Sequence, residues 1–221
     1  MKPSYQDALM AFTLFLNLIV PANMKNWNLL YANVMNCLKT QLSPFLFYHH
    51  WKHTQHVQEA AEYIAQQENI TEDDILLIKT AALFHDAGFI NGVNEGHEEE
   101  SIRLAEKKLP EFGYTKKEIE IIAGMIRATI IPQQPKTKLE CILADADVEY
   151  LGTNHYTRVG NKLFLELKHY NPKLSMEEWN DMQINFLQSH FYHTDYCIQN
   201  RTAVKEKNLK LLIKQKKLEN W

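Results

Sequence analysis

The sequence predicts an all-α protein, folded as a single bundle of roughly eight to ten helices. Apolar residues recur at spacings of three and four along most of the chain, which is the pattern of helices with one buried face. No stretch shows the sustained alternation of apolar and polar residues that indicates strands. A chain of 221 residues can bury roughly 70% of the surface that its unfolded form exposes, so one domain with its own core is expected.

The predicted helices follow one another with short breaks between them. The first begins after Met24, with apolar residues at helical spacing from 27 to 38. The later periodic segments cover 56–68, 73–86, 98–109, 116–130, 139–151, 158–170, 176–194 and 196–216. Glycine, proline or asparagine interrupts the pattern at 69, 88–96, 110–113, 132–135 and 172.

Residues 1–23 are predicted to be an N-terminal extension, with room for one extra helix, ahead of a domain that covers 24–221. Their apolar stretch, 8–20, is shorter than the about 20 residues that a membrane-spanning helix needs, so no membrane span is expected. A signal peptide is the alternative. Lys2 is its only basic flank, however, and 20–22 is a poor cleavage site.

Charge and cysteine content limit the class of protein. The formal net charge of −3 argues against a general nucleic-acid-binding protein. Cys37, Cys141 and Cys197 are widely spaced and odd in number, which indicates free thiols in a reducing compartment rather than a disulfide framework. The sequence therefore predicts a cytoplasmic protein, and it leaves the oligomeric state open.

The adjacent pair His85 and Asp86 stands at the end of an apolar helical run, 81–84. Burying a carboxylate without a partner costs several kcal/mol, so the pair indicates a cation, most simply a metal ion bound by both side chains. Taken alone, the pair has a structural alternative, in which His85 caps the helix and Asp86 starts the turn at Gly88.

A histidine-rich stretch upstream contains His49, His50, His53 and His56. On a helix His49 and His53 lie one turn apart on the same face, so they could offer two imidazoles to one pocket. A solvated, histidine-rich helix start is the alternative for the whole stretch. It is the preferred interpretation for His50 and His56.

Two acids downstream, Asp145 and Asp147, lie inside an apolar helical segment. Residues two apart cannot both face one pocket on a regular helix, so one acid is expected to be a ligand and the other a supporting or capping residue. We choose Asp147 as the ligand. His97 lies between this segment and the His85 pair, just before a run of glutamates that is explained by a helix N-terminus, and its role stays open.

The order His53, His85-Asp86 and Asp147 resembles the HD superfamily of metal-dependent phosphohydrolases, named for its His…His-Asp…Asp ligands. The resemblance runs from about 48 to 152, and it implies an HD-type helical bundle with these four residues as metal ligands. The flanking residues match as well: His53-Thr54-x-x-Val57, Leu83-Phe84-His85-Asp86-x-Gly88 and Ala146-Asp147.

Two further roles are implied by the resemblance. The stretch Tyr48-His49-x-x-x-His53 is similar to the cyclic-nucleotide phosphodiesterase branch, which gives His49 the role of a general acid that protonates the leaving oxygen. Binuclear members carry a histidine in a position like His97, which implies a ligand to a second metal. They carry further histidines before the last aspartate, and 123–129 supplies none here, which weighs against a fully ligated two-metal site.

The ligand types predict the chemistry. Imidazole and carboxylate without thiolate suit Mn, Fe, Co, Ni or Zn, with Mg possible at a water-rich second position. Such an ion activates a bound water and polarises a phosphoryl oxygen, with Asp86 placed to touch that water or to bridge to a second ion. The predicted function is hydrolysis of a phosphoester in a nucleotide, a phosphodiester in preference to a monoester. A di-iron oxygenase on the same scaffold and a non-catalytic, metal-dependent nucleotide sensor are the alternatives.

Cations are needed to bind a small phosphorylated substrate. Arg127 interrupts an apolar helix and is the favoured candidate to face the pocket. Lys52, Arg158 and Lys162 are further candidates, although a solvated surface cation is the more ordinary interpretation for each. Late aromatic residues at helical spacing, Trp179 and Phe186 among them, are interpreted as core.

Overall fold

The structure of the protein, a computed structural model, describes residues 25–92 and 95–219. Within these ranges it contains nine α-helices, three short 3-10 helices and no strand, which confirms the predicted all-α fold and its helix count. The extra helix predicted within 1–23 lies outside the described residues. None of the described helices is long and apolar enough to cross a membrane.

The nine helices are numbered in chain order. They are α1 (Trp27–Gln41), α2 (Trp51–Gln67), α3 (Glu72–Phe84), α4 (His97–Lys108), α5 (Lys116–Arg127), α6 (Lys138–Asp147), α7 (Tyr156–Tyr170), α8 (Met176–Ser189) and α9 (Asp195–Glu219). The 3-10 helices are Ala87–Asn91, Leu109–Phe112 and Glu149–Gly152.

Several helix ends differ from the predicted ones, and the differences lie next to the candidate ligands. The helix predicted over 56–68 begins at Trp51, because the side chain of His50 accepts a hydrogen bond from the Lys52 N–H (3.0 Å) and caps its start. The helix predicted over 139–151 ends at Asp147, and the apolar pattern continues into the 3-10 helix that follows. Helix ends therefore present the candidate ligands.

The main core packs α2, α3, α5 and α6 against one another. Residues such as Val57, Ile78, Ile126 and Leu143 are completely buried in it. Burial of each such side chain contributes about 1.5–3 kcal/mol relative to exposure. The main core therefore holds α2, α3 and α6 in fixed positions. The ends of these three helices carry the candidate ligands.

A second apolar cluster joins the C-terminal helices α7, α8 and α9 to the 3-10 helix Glu149–Gly152. Its buried members include Tyr48, Tyr150, Leu151 and Leu187. The ring of Tyr48 lies 4.5 Å from the ring of His53, measured between centroids. The second cluster therefore borders the candidate site from the side opposite the main core.

Candidate metal centre

Four side chains converge where α2, α3 and α6 meet. His53 comes from α2, His85 and Asp86 follow α3 directly, and Asp147 is the last residue of α6. The Asp147 Oδ1 atom lies 3.1 Å from His53 Nε2 and 3.4 Å from His85 Nε2. The Asp86 Oδ2 atom lies 3.4 Å from His53 Nε2 and 3.2 Å from His85 Nε2. Two imidazole nitrogens and two carboxylate oxygens thus face a common point.

The end of α3 orients His85. A helix C-terminus leaves carbonyl groups without partners inside the helix, and the His85 Nδ1–H donates to one of them, that of Ala82, at 2.8 Å. This hydrogen bond places the proton on Nδ1 and leaves the lone pair of Nε2 directed at the cluster. An imidazole held in this way is prepared to bind a metal ion.

The electrostatics of the cluster fit a divalent cation. Asp86 Oδ2 is buried and has no hydrogen-bond partner among the described residues, a costly state for a carboxylate oxygen. Burial raises the pKa of Asp86, but the nearby His85 outweighs it and holds the pKa well below its usual range. Burial likewise opposes ionisation of Asp147, whereas its hydrogen bond with His53 keeps its pKa low. Both acids therefore stay ionised, and together with two imidazoles they form a donor set that suits a divalent metal.

Asp145 and Asp147 lie on different sides of α6. The Asp145 carboxylate is completely buried and accepts hydrogen bonds from the backbone N–H of His193 (2.9 Å) and from the N–H and hydroxyl of Thr194 (2.8 and 2.7 Å). These contacts hold the start of α9. The structure thus brings Asp147 to the cluster and leaves Asp145 as an internal cap.

His97 is the first residue of α4 and lies beside the cluster. Its Nε2 atom is 3.4 Å from Asp86 Oδ1, the carboxylate oxygen not shared with His53 and His85, and its ring stacks on Phe89 at 4.1 Å. Gly88 permits this approach, because a Cβ atom there would lie 2.1 Å from the His97 carbonyl oxygen. His97 therefore reaches Asp86 from the side away from the other imidazoles.

His49 lies near the cluster, but not in the predicted way. The expectation that His49 and His53 share a helix face is wrong, because α2 begins only at Trp51. The rings of His49 and His53 are nevertheless 6.0 Å apart between centroids, and the His49 ring stacks on Phe89 at 4.6 Å. The segment before α2, rather than helical periodicity, brings His49 to the site.

Glu166, which the sequence analysis missed, holds His49 in place. Its carboxylate accepts the backbone N–H groups of Tyr48 (2.7 Å) and His49 (3.0 Å), and its Oε1 pairs with His49 Nδ1. Burial raises the pKa of Glu166, but the hydrogen bond with His49 outweighs it and holds the pKa below its usual value. The one sequence signal was its spacing of three residues from Leu163, which puts a carboxylate on the apolar side of α7.

Two cavities border the cluster and share Tyr48, Asp147 and Tyr150 as lining residues. The first, of about 230 Å³, is called the cationic cavity because Lys52, Arg158 and Lys162 line it. The second, of about 290 Å³, is called the apolar cavity. It lies between α7, α8 and the 3-10 helix Glu149–Gly152, and its lining includes Leu163, Leu167, Trp179, Gln183, Phe186 and Leu187.

Three of the four candidate cations lie together at the cationic cavity. Lys52, Arg158 and Lys162 form no ion pair within the described part of the chain, and they surround a cavity that His53 and Asp147 also line. Burial and then the charge of Lys162 lower the pKa of the neighbouring His50 to about 4, as a positively charged cavity would. All three are exposed, as expected for surface cations, and the structure groups them along one cavity beside the cluster.

Arg127, the favoured cation in the sequence analysis, is not brought to the site. Its guanidinium group makes two hydrogen bonds with the Glu99 carboxylate, at 2.7 and 3.1 Å, on the surface between α5 and α4. It lines neither the cationic nor the apolar cavity. The prediction failed because an acid on another helix, which the local sequence does not reveal, binds this arginine.

Comparisons with known proteins agree with this geometry. The family model of the HD domain matches residues 51–149. A solved structure, the crystal structure of a predicted HD superfamily hydrolase from an uncultured Thermotogales bacterium, matches with a TM-score of 0.56 and 19% identity over 94% of this chain and 98% of that chain. None of the curated proteins compared with the chain matches it. The chain thus contains an HD domain over residues 51–149, which includes all four residues of the cluster.

Proposed function

We propose that the protein is a metal-dependent phosphohydrolase that cleaves a phosphodiester in a nucleotide. The observation that carries the proposal is the cluster of His53, His85, Asp86 and Asp147, with a histidine–glutamate pair on one side and three cations on another. The solved structure with the same fold, that of a predicted HD superfamily hydrolase from an uncultured Thermotogales bacterium, supports the proposal as well.

The four residues of the cluster would hold the metal ion, with Mn, Fe, Co, Ni or Zn as the ions that suit this donor set. When bound, the ion supplies an activated water and neutralises charge on the phosphoryl group. Asp86, whose Oδ2 has no hydrogen-bond partner among the described residues, can orient that water. His97, next to Asp86 Oδ1, is the proposed ligand of a second ion, and Mg suits such a water-rich position.

His49 is the proposed general acid. Glu166 pairs with its Nδ1, which fixes the ring and leaves Nε2 as the atom that would deliver the proton. Glu166 is a positioning residue in this scheme, because it contacts His49 and not the reacting group. The departing oxygen would receive its proton from His49.

The two cavities favour a diester over a monoester. A phosphodiester carries two substituents on its phosphorus atom, whereas a monoester carries one. The cationic and apolar cavities both reach Asp147, so a phosphate bound there has separate space for each substituent. The charge of Lys52, Arg158 and Lys162 favours an anionic group, such as a further nucleotide phosphate, in the cationic cavity.

The alternatives fit less well. Among the described residues, the one group of three or more acids, histidines or cysteines close enough to hold a metal contains His53, His85 and Asp147. A di-iron oxygenase needs a second set of comparable size, which His97 and Asp86 alone do not supply. A non-catalytic sensor would not need the pair of His49 and Glu166.

The test is a substrate panel with protein that has been treated with a chelator and reloaded with Mn²⁺. The panel contains cyclic mononucleotides, dinucleotides, nucleoside monophosphates and nucleoside triphosphates, assayed with and without oxygen. We expect metal-dependent release of a phosphomonoester from cyclic or linear diesters. Turnover of monophosphates or triphosphates alone would reject the diester, and oxygen consumption without phosphoester cleavage would favour the oxygenase.

A further inference from the structure

The apolar cavity has its walls mainly outside the HD domain match, which ends at residue 149. Helices α7 and α8 supply most of the lining residues. Its volume of about 290 Å³ is close to the smaller cavities that bind small organic ligands, which start near 300 Å³. Trp179 and Phe186 belong to apolar clusters, as the sequence analysis expected, and they also line this cavity.

The apolar cavity lies on the general-acid side of the cluster. His49 lines the apolar cavity and not the cationic one, whereas His53 lines the cationic cavity and not the apolar one. The oxygen that His49 protonates must be within hydrogen-bond distance of it, so the group attached to that oxygen extends into the apolar cavity. The two cavities therefore distinguish the leaving group from the retained group.

A side chain that lines the cavity has a hydrogen-bond donor without a partner among the described residues. The indole Nε1–H of Trp179 is buried, and no described residue accepts a hydrogen bond from it. A buried N–H left without a partner costs about 1–3 kcal/mol, which a ligand with an acceptor atom could recover. Trp179 lines the apolar cavity, so a ligand bound there is the proposed partner of this donor.

Gln183 adds a polar group at a fixed position. Its Oε1 accepts the hydroxyl hydrogen of Tyr156 at 2.8 Å, and it retains a second lone pair. Gly160 of α7 makes room for this amide, because a Cβ atom there would lie 3.0 Å from Gln183 Oε1. The cavity thus combines aromatic and aliphatic walls with a donor from Trp179 and an acceptor from Gln183.

We propose that the apolar cavity binds the leaving group of the substrate, and that this group carries an aromatic ring with hydrogen-bonding atoms at its edge, as a nucleobase does. Flat rings pack well against the side chains of Phe186 and Trp179. The edge atoms of such a ring can accept from the Trp179 N–H and donate to Gln183. The inference rests on the proposed function, because it assigns a substrate group to the same site.

The first experiment measures binding without catalysis. Adenosine, which has the ring but no phosphate, is titrated calorimetrically into the Mn²⁺-loaded full chain, with ribose as the ligand that lacks the ring. Leu167→Phe, which fills the apolar cavity, should weaken adenosine binding at least about tenfold. Leu165→Phe is the matched control on α7, since Leu165 is 53% exposed and does not line this cavity.

A second variant keeps the test valid if Leu167→Phe fails to fold. Trp179→Phe keeps a smaller aromatic ring and removes the indole N–H, so it should weaken adenosine binding by at least roughly threefold to tenfold, the cost of one hydrogen bond plus part of the ring contact. Unchanged adenosine affinity in both folded variants would overturn the inference. Ribose binding as tight as adenosine binding would overturn it as well.

A kinetic comparison separates this inference from the proposed function. Two diesters of thymidine 3′-phosphate are compared, one with a nucleoside 5′-oxygen as the leaving group and one with methanol. Leu167→Phe should lower kcat/KM about tenfold for the first and leave that for the second unchanged. Equal kcat/KM losses for the two diesters, or no loss, would reject the leaving-group cavity while the hydrolase stands. Absence of turnover with both diesters in the wild-type protein would reject the proposed phosphodiesterase instead, and adenosine binding would still test the cavity.

Discussion

The helices that carry the cluster and the helices that form the cavities are packed very differently. Around the cluster, α2, α3 and α6 end in a close-packed core, where His85 is completely buried and Asp86 is 6% exposed. On the other side, the apolar cavity opens between α7 and α8 and the cationic cavity between α2 and α7, and residues such as Met182 are 49% exposed. Reacting groups need fixed positions, whereas recognition of a substrate needs space. Helices α7 and α8, which carry no residue of the cluster, form most of the apolar cavity, so its lining can change without disturbing the ligands.

The largest expected effect comes from a substitution in the cluster. His85→Ala should abolish metal binding and reduce phosphodiester hydrolysis to the uncatalysed rate, because it removes one ligand and leaves two carboxylates facing each other. Metal content by mass spectrometry and turnover are measured on the same sample. His169→Ala is the control, since His169 stacks on Phe45 away from the cluster and should keep both properties. Full activity of metal-free His85→Ala would contradict the account.

His49 stands at the boundary between the two sides and should give the next largest effect. His49→Asn should lower kcat for alkyl phosphodiesters by about 10²–10⁴-fold, the usual contribution of a general acid, with metal binding retained. The loss should shrink for p-nitrophenyl esters, because a better leaving group needs less protonation. Equal losses for both ester types would mean that His49 only positions the substrate.

The cationic cavity should give smaller effects that depend on substrate charge. Arg158→Gln and Lys162→Gln should each raise KM by about threefold to tenfold for diesters that carry an additional phosphate, because exposed cations contribute modestly. Diesters without that phosphate should be affected much less, and high salt should reduce the difference. Lys214→Gln, an exposed cation of α9, is the control. A uniform KM increase across all diesters would assign these cations to the scissile phosphate instead.

Glu166 should show the smallest effect, on stability. Its pKa is lower in the folded protein than its usual value of 4.5. An acid with a lowered pKa stabilises the fold above its unfolded-state pKa, and this contribution is lost as the pH falls through the folded-state pKa. At pH 7, urea denaturation should therefore give Glu166→Gln a free energy of unfolding lower than that of the wild type by on the order of 1 kcal/mol. The difference should diminish below pH 4.5. A difference that is independent of pH would contradict an ionised Glu166.

The contrast between the two sides also explains what the sequence could predict. His53, His85, Asp86 and Asp147 stand out because histidines and acids at the ends of apolar helices have no packing role. The two-residue spacing of Asp145 and Asp147 required them to face apart, although only the tertiary contacts of Asp145 with Thr194 show what it does. Local sequence patterns were therefore enough to predict the fold class and the residues of the cluster.

Local sequence patterns could not predict the cavities, because a cavity depends on how segments distant in sequence pack together. Trp179 and Phe186 have the spacing of core residues, and nothing local reveals that they also line a cavity. Arg127 was the favoured cation in the sequence, yet Glu99 binds it, whereas Arg158 lines the cationic cavity. His49 lies near His53, but the argument for it was wrong, because α2 begins at Trp51 and does not include His49. Long-range partners decided each of these cases.

The most direct test of the central claim compares the two acids of α6. Equilibrium binding of Mn²⁺ is measured for the wild type, Asp147→Asn and Asp145→Asn, together with phosphodiester turnover. Asp147→Asn should lose high-affinity binding and turnover, because it removes a ligand oxygen from the cluster. Asp145→Asn should keep both and lose only stability, because its contacts are with the start of α9. Retention of Mn²⁺ by Asp147→Asn and its loss in Asp145→Asn would contradict the metal centre described above.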